Sequence, residues 1–309
     1  MDEILGLIGV GSMGGPVAHN LLRRGERVLV HDRSQAAVDA LIKNGAERAD
    51  TPRAVASAAS IVFICLPSLE AIDEVVFGQA GILHGSELEI CVNLSTTGRA
   101  FIEDLGRRLA AEGIMTLDCP ITGGAAAARD AALSITVSGP CAGYDRVKPL
   151  LDCTASHVFY VGSEPGQAQV MKLLNNMLSF AAFVASCEAF VLGVKAGLDP
   201  DAMVAVINTG TGRNSATTDK FPNNVLPRTF DYGAKLAISN KDISLCLEEA
   251  GRLGVPLWLA PVIKQIIGFA ITQDGDQNDI TTLIKHYEKW SGVEVTGAAG
   301  RSVKGAPKS

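Results

Sequence analysis

The sequence has no run of lysines and arginines, no pair of cysteines spaced C-x-x-C and no His/Cys/Asp cluster at metal-ligand spacing. Each absence removes a class of function. Without a basic run, and with a formal net charge of −6 at pH 7, neither nucleic acid nor an anionic membrane surface is an expected partner. The seven cysteines (Cys65, Cys91, Cys119, Cys141, Cys153, Cys187 and Cys246) are odd in number and widely spaced. They read as free thiols in a reducing cytoplasm, not as a disulfide framework. The five histidines are scattered, so no metal site is expected. The opening MDEILGLIGVG carries acids where a signal peptide would carry bases, which again points to the cytoplasm. Charge of either sign is sparse, 19% against 47% hydrophobic, so these 309 residues describe a core-rich chain long enough for two domains.

What is present begins with a strand, a glycine turn and a helix. Ile4 to Val10 is a short apolar run that reads as a buried strand, and Pro16 to Gly25 is an amphipathic helix closed by its glycine. Between them lies Gly9-Val10-Gly11-Ser12-Met13-Gly14. A second strand from Arg27 ends on Asp32, 18 residues after the last of these glycines. A lone G-x-G-x-x-G is weak evidence, but this one sits directly between strand and helix and is followed by an acid at a strand tip. It predicts a dinucleotide site. Gly9 permits the tight turn, Gly11 lets backbone approach a pyrophosphate, and Gly14 lets helix and strand pack closely. The phosphates would rest on the helix N-terminus. Asp32 favours the ribose hydroxyls of NAD and repels a 2′-phosphate; Arg33 pulls toward NADP. NAD is the expected cofactor, with NADP as the alternative.

Strand and helix patterns keep alternating. Ile61 to Leu66 is a continuous apolar strand stopped by Pro67, and Ile90 to Leu94 is another, ending at Ser95-Thr96. Met115 to Cys119 leads into Pro120-Ile121-Thr122-Gly123-Gly124, and Leu133 to Ser138 and His157 to Tyr160 read as later strands. The first 163 residues therefore read as an α/β Rossmann domain with a doubly wound sheet. From Gly166 to Gly197 no proline and no interior glycine before Gly193 interrupts a stretch that predicts one helix of about 30 residues, some 45 Å long. Lys172, Asn175, Asn176 and Glu188 leave too short a clean run for a bilayer span, so it reads as a buried interdomain spine. Lys172 is out of place on such a helix, and Asn176 shares its face. Such a lysine can merely snorkel to water. Beyond the spine only helices are expected, making residues 164–295 an all-α substrate and oligomerisation domain, with a glycine- and threonine-rich loop around Arg213 and a loose tail at 296–309.

Several stretches, in order and spacing, resemble the β-hydroxyacid dehydrogenases: GLIGVGSMGGPVAHNLLRRG, CLP at 65 to 67, NLST at 93 to 96, DCPITGG at 118 to 124, GQAQVMKLLNN at 166 to 176, and the pair Lys241-Asp242. The resemblance covers about residues 4 to 290. It implies that Gly9, Val10, Gly11, Ser12, Met13 and Gly14 bind the dinucleotide phosphates, with Asp32 on the ribose. It also implies that Leu66, Pro67 and Thr96 line the nicotinamide half and that Lys241 reaches over the cofactor. Thr122, Gly123 and Gly124 would hold the substrate carboxylate, Lys172 would be the acid/base and Asn176 the substrate anchor. Three departures stand out. Thr122 replaces a serine, a glycine just after the turn is lost within Ala125 to Ala128, and Ala71 replaces an asparagine that contacts cofactor.

The chemistry of these residue types agrees with that resemblance. Alcohol oxidation needs a base for the hydroxyl proton while hydride leaves for nicotinamide. A lysine can serve only if its pKa falls well below about 10.4, which burial and a nearby cation such as Lys241 or the oxidised ring would bring about. Gly123 and Gly124 can turn two backbone N–H groups toward a carboxylate. Arg213 is a candidate clamp for a second anionic group on the substrate. The expectation is an NAD(P)-dependent dehydrogenase of small 3-hydroxy acids, working as a homodimer or homotetramer. A short-semialdehyde reductase using NADPH is the alternative within the class, and a non-catalytic cofactor-binding module the alternative outside it.

Overall fold

The computed structural model describes residues 3–304. The chain divides into two compact units, with the division between Lys172 and Leu173. The first unit is a nine-stranded sheet with helices on both faces. Six parallel strands form its body: β1 (Ile4–Ile8), β2 (Arg27–His31), β3 (Glu47–Arg48), β4 (Ile61–Ile64), β5 (Ile90–Asn93) and β6 (Met115–Asp118). The short β7 (Ile121–Thr122) and β8 (Leu133–Ser138) pair antiparallel, and β9 (Ala155–Gly162) runs parallel to β8. The order is β3-β2-β1-β4-β5-β6-β8-β7, so the chain leaves β1 first to one side and then to the other. In such sheets the crevice at that reversal, outside the carboxyl ends of the strands, is where ligands bind.

Period-two alternation feeds two cores, one on each face. Leu5, Leu7, Val28, Val30, Ile61, Phe63 and Leu117 pack with α1 (Gly14–Arg23) and α2 (Gln35–Ile42). Ile8, Leu29, Val62, Ile64 and Cys91 pack on the other side with α3 (Pro52–Ala56), α4 (Leu69–Phe77) and α5 (Arg99–Ala110). Buried on both faces, these strands read as unbroken apolar runs. Helices α6 (Gly124–Arg129) and α7 (Cys141–Leu151) complete the unit.

Helix α8 (Gln167–Lys195) begins in the first unit and runs on into the second. By length and hydropathy it could cross a bilayer. Its Phe183, Cys187 and Phe190 are fully buried in protein, as in a core helix. The Phe190 ring lies tilted against Phe221, centroids 4.1 Å apart, and joins Ile243, Ile263, Ile267 and Ile284 in one core. The other helices here are α9 (Pro200–Thr209), α10 (Leu236–Leu253), α11 (Ala260–Asp274), α12 (Ile284–Ser291) and α13 (Ala298–Lys304). Asp199 and Asp279 act as side-chain N-caps, for α9 and for a 3₁₀ turn that leads into α12.

Two expectations are corrected. The segment expected as a loop after α9 contains a π-helix over Ala216–Val225. Asn214 holds its start by accepting from Ala216 N and Thr217 N, and Ala216, Phe221 and Val225 are buried apolar anchors on it. The expected loose tail is helical over Ala298–Lys304, because Arg301 pairs with Asp199 and Asp201 and Ala298 N donates to Asp201. Residues 305–309 lie outside the described residues.

Candidate active site

In the first unit the glycine turn lies at the sheet reversal. Gly9 adopts φ +89°, and a Cβ there would come within 2.3 Å of the Cys65 carbonyl oxygen. A Cβ on Gly14 would lie 1.9 Å from the Gly9 carbonyl oxygen, so strand and helix touch through backbone alone. Gly11 differs: a Cβ there meets nothing within 4 Å. No side chain caps α1, whose N-cap residue is Met13. The positive end of the helix dipole therefore faces the glycine turn without a side-chain oxygen in front of it. This turn fits a pyrophosphate.

Asp32, at the tip of β2, accepts from Val10 N at 2.7 Å through one oxygen and from Ser34 N at 2.7 Å through the other. The carboxylate is thereby fixed beside the glycine turn. Arg33 next to it is exposed. Leu66 N, just past β4, donates to Ser95 Oγ at 2.8 Å, which ties the Leu66-Pro67 turn to the loop carrying Thr96. Thr122 ends β7, and Gly123 (φ +129°) and Gly124 (φ +69°) occupy backbone conformations that disfavour any side chain. Lys172 Nζ donates to Thr122 Oγ1 at 3.0 Å across 50 residues of sequence. The proposed acid/base and the head of the proposed substrate turn therefore meet.

In the second unit, Asn176 Nδ2 donates to Asp242 Oδ2 at 2.7 Å, and Lys241 Nζ lies 3.5 Å from the other oxygen. Asp242 is almost fully buried. Arg213 is exposed. Its neighbour Asn214 reaches Ser186 Oγ at 3.5 Å, ten residues beyond Asn176 on α8, or about 15 Å along the axis. The structure thus groups Asn176 with Lys241 and sets the Arg213 loop apart.

Sequence reasoning passed over Asp242, although the Lys241-Asp242 pair drew notice to its neighbour. It also passed over Asp118 and Gln169, both fully buried. Gln169 lies three residues before Lys172 in a stretch already quoted for that lysine, and Asp118 opens DCPITGG, so the signal was present in both motifs. Among the described residues no group of three His, Cys, Asp or Glu could hold a metal ion.

The fold and glycine turn define a dinucleotide-binding protein, and comparison with known proteins narrows the class. Residues 4–162 match the model of the NAD-binding domain of 6-phosphogluconate dehydrogenase. Residues 166–287 match the NAD-binding domain of NADP-dependent 3-hydroxyisobutyrate dehydrogenase. The chain is 30% identical to 2-(hydroxymethyl)glutarate dehydrogenase of Eubacterium barkeri, over 95% of this chain and 97% of that protein. It is likewise 30% identical to 3-hydroxyisobutyrate dehydrogenase of Pseudomonas aeruginosa, over 92% and 98%. The crystal structure of 3-hydroxyisobutyrate dehydrogenase from Salmonella typhimurium superposes with TM-score 0.80 at 26% identity, covering 92% of this chain and all of the other. The chain belongs to the β-hydroxyacid dehydrogenase family, whose members bind NAD(P) and act on small 3-hydroxy acids and their semialdehydes.

Proposed function

We propose that this protein interconverts a small 3-hydroxy acid and its semialdehyde or keto form, with Lys172 as general acid/base. The observation that supports the role of Lys172 is its 3.0 Å hydrogen bond to Thr122 Oγ1 at the head of the Gly123-Gly124 turn. Bound nicotinamide supplies the hydride acceptor or donor. During oxidation Lys172 takes the hydroxyl proton, and during reduction its ammonium returns that proton to the carbonyl oxygen. Thr122 holds the lysine nitrogen, and the N–H groups of Gly123 and Gly124 receive the substrate carboxylate. Asn176, one turn further along α8 and held by Asp242, steadies the reacting oxygen; Lys241 serves the cofactor. Arg213 stays outside this assignment.

NAD is the proposed cofactor, because the Asp32 carboxylate is fixed beside the glycine turn, where a 2′-phosphate would be repelled. The exposed Arg33 is the feature that favours NADP instead. Exposed Leu174, Leu178 and Leu192 on α8 support a homodimer or homotetramer, which a mass measurement in solution would check; a monomer would end that reading. The seven free cysteines support a cytoplasmic, reducing location.

The test is initial-rate oxidation of 3-hydroxyisobutyrate, L-serine, glycerate, threonate and 4-hydroxybutyrate with each cofactor, for wild type and Lys172→Ala. Turnover that needs Lys172 and prefers NAD is expected. Equal rates without the lysine would remove its role, and preference for NADP would reverse the cofactor assignment.

A further inference from the structure

The four N–H groups that open any α-helix need partners from outside it. In α8 three of the four find them in the sheet. Gln167 N donates to Glu164 O at 3.4 Å and Ala168 N to Ser138 Oγ at 3.0 Å. Gln169 N donates to Asp118 Oδ2 at 3.1 Å, and Gly166 N donates to the same carboxylate. Asp118, at the end of β6, is thus an N-cap supplied from 51 residues away. Such a cap normally comes from the residue just before the helix.

The Gln169 side chain completes the joint, and all its bonding capacity is used. Its Oε1 accepts from Thr97 N at 2.9 Å and Gly98 N at 3.2 Å. Its Nε2 donates to Asp118 Oδ1 at 2.6 Å and to Ser95 O at 3.0 Å. Asn93 Nδ2 reaches both Ser95 O and Asp118 Oδ1, at 3.0 and 3.3 Å, and its Oδ1 accepts from Ser95 N. Three segments therefore meet at one fully buried point: the loop of Ser95 and Thr96, the strand that leads to Thr122, and the first turn of α8.

We infer that the Asn93–Asp118–Gln169 cluster is a positioning device. It sets Lys172, three residues beyond Gln169, against Thr122 and against the loop that holds Leu66 through Ser95. None of the three residues touches the reacting atoms. A helix anchored only by apolar packing can slide or roll by fractions of an ångström, whereas eight hydrogen bonds aimed at two buried side chains and a backbone oxygen fix both rotation and rise. Misplacement of a reacting group by about 1 Å costs on the order of a hundredfold in rate. This inference rests on the proposed role of Lys172.

The test uses the full-length protein with 3-hydroxyisobutyrate and NAD or NADP, for Asp118→Asn, Gln169→Met and Lys172→Ala. Asp118→Asn puts an amide NH₂ in place of one accepting oxygen, against either the helix N–H groups or the amides of Gln169 and Asn93, and Gln169→Met keeps the volume but removes the amide. Both variants are expected to lower kcat at least about tenfold with KM within about threefold, while melting remains a single transition. Amide exchange over residues 166–172 should quicken in both, a readout that does not depend on turnover. If Lys172→Ala is inactive but both other variants keep wild-type kcat, the positioning inference falls and the role of Lys172 stands. If Lys172→Ala is fully active, the acid/base reading falls, and unchanged exchange over 166–172 would then overturn the joint as well. Should Asp118→Asn not fold, Gln169→Met decides alone.

Discussion

The glycine turn of the first unit and the Asn176–Asp242 pair of the second both hold polar groups in place, by opposite means. In the turn the constraint is local and made of backbone. Gly9 and Gly14 are separated by five positions, and each is glycine because a carbonyl oxygen occupies the space of its Cβ. The pair spans 66 residues and joins two helices by one side-chain hydrogen bond at 2.7 Å. A constraint of the first kind is written as a motif with fixed spacing. A constraint of the second kind leaves only two residue types far apart, and nothing in the chain between them announces it.

Mutation can break this contrast, starting from the largest effect. Lys172→Ala should lower kcat/KM by about a thousandfold, within the range of general acid–base catalysis, as read from initial rates. Gly14→Ala should come next, because its methyl would strike the Gly9 carbonyl oxygen; overpacking of this kind costs about 3 kcal/mol. Gly11→Ala has open space, so the two variants should separate in urea: Gly14→Ala loses stability, while Gly11→Ala keeps its midpoint and loses NADH affinity. If both variants behave alike, the backbone argument for the turn is wrong.

Asp242→Ala should lower kcat about tenfold, because Asn176 keeps its side chain but loses the acceptor that orients it. An unchanged kcat would show that α8 orients Asn176 without help from α10. A smaller effect comes from pH. Burial pushes the Asp118 carboxyl up to about 7 despite the donors from Gln169, Asn93 and Gly166, and it pushes the neighbouring Cys119 thiol up as well. The folded chain therefore holds this proton more tightly than the unfolded chain, whose aspartates titrate near 4. The resulting stabilisation is complete below about pH 4 and is lost as pH rises through about 7. Urea midpoints of wild type should fall from pH 5 to pH 8 more steeply than those of Asp118→Asn. At the foot of the scale, Arg27→Ala removes an exposed ion pair with Glu47 and should shift stability by less than about 1 kcal/mol in the same titration.

How much could be read from the chain follows the same division. The strands β1, β4, β5 and β6 were legible because burial on both faces leaves continuous apolar runs. Helix α8 was legible because neither proline nor glycine breaks it before Gly193. The π-helix over Ala216–Val225 was not, since Thr, Asn and Pro in that segment carry turn propensity, and what overrides it is the burial of Ala216, Phe221 and Val225. The helix at Ala298–Lys304 was hidden for a related reason: Arg301 finds Asp199 and Asp201 only once the chain has folded back. The division of the chain after Lys172, later than residue 163 where the sequence pattern changes, has the same origin. The first turn of α8 is bonded to Asp118 and Ser138, so it belongs to the sheet.

By itself the sequence determined the dinucleotide turn, the acid at the tip of β2, the parallel sheet and the long spine carrying Lys172 and Asn176, because each depends on sterics or periodicity among near neighbours. Only the tertiary structure decided that Lys172 meets Thr122, that Asp242 holds Asn176 and that Asp118 caps a helix from another element. Those choices rest on burial, which makes an unpartnered polar group costly, and burial is a property of residues brought together from across the chain.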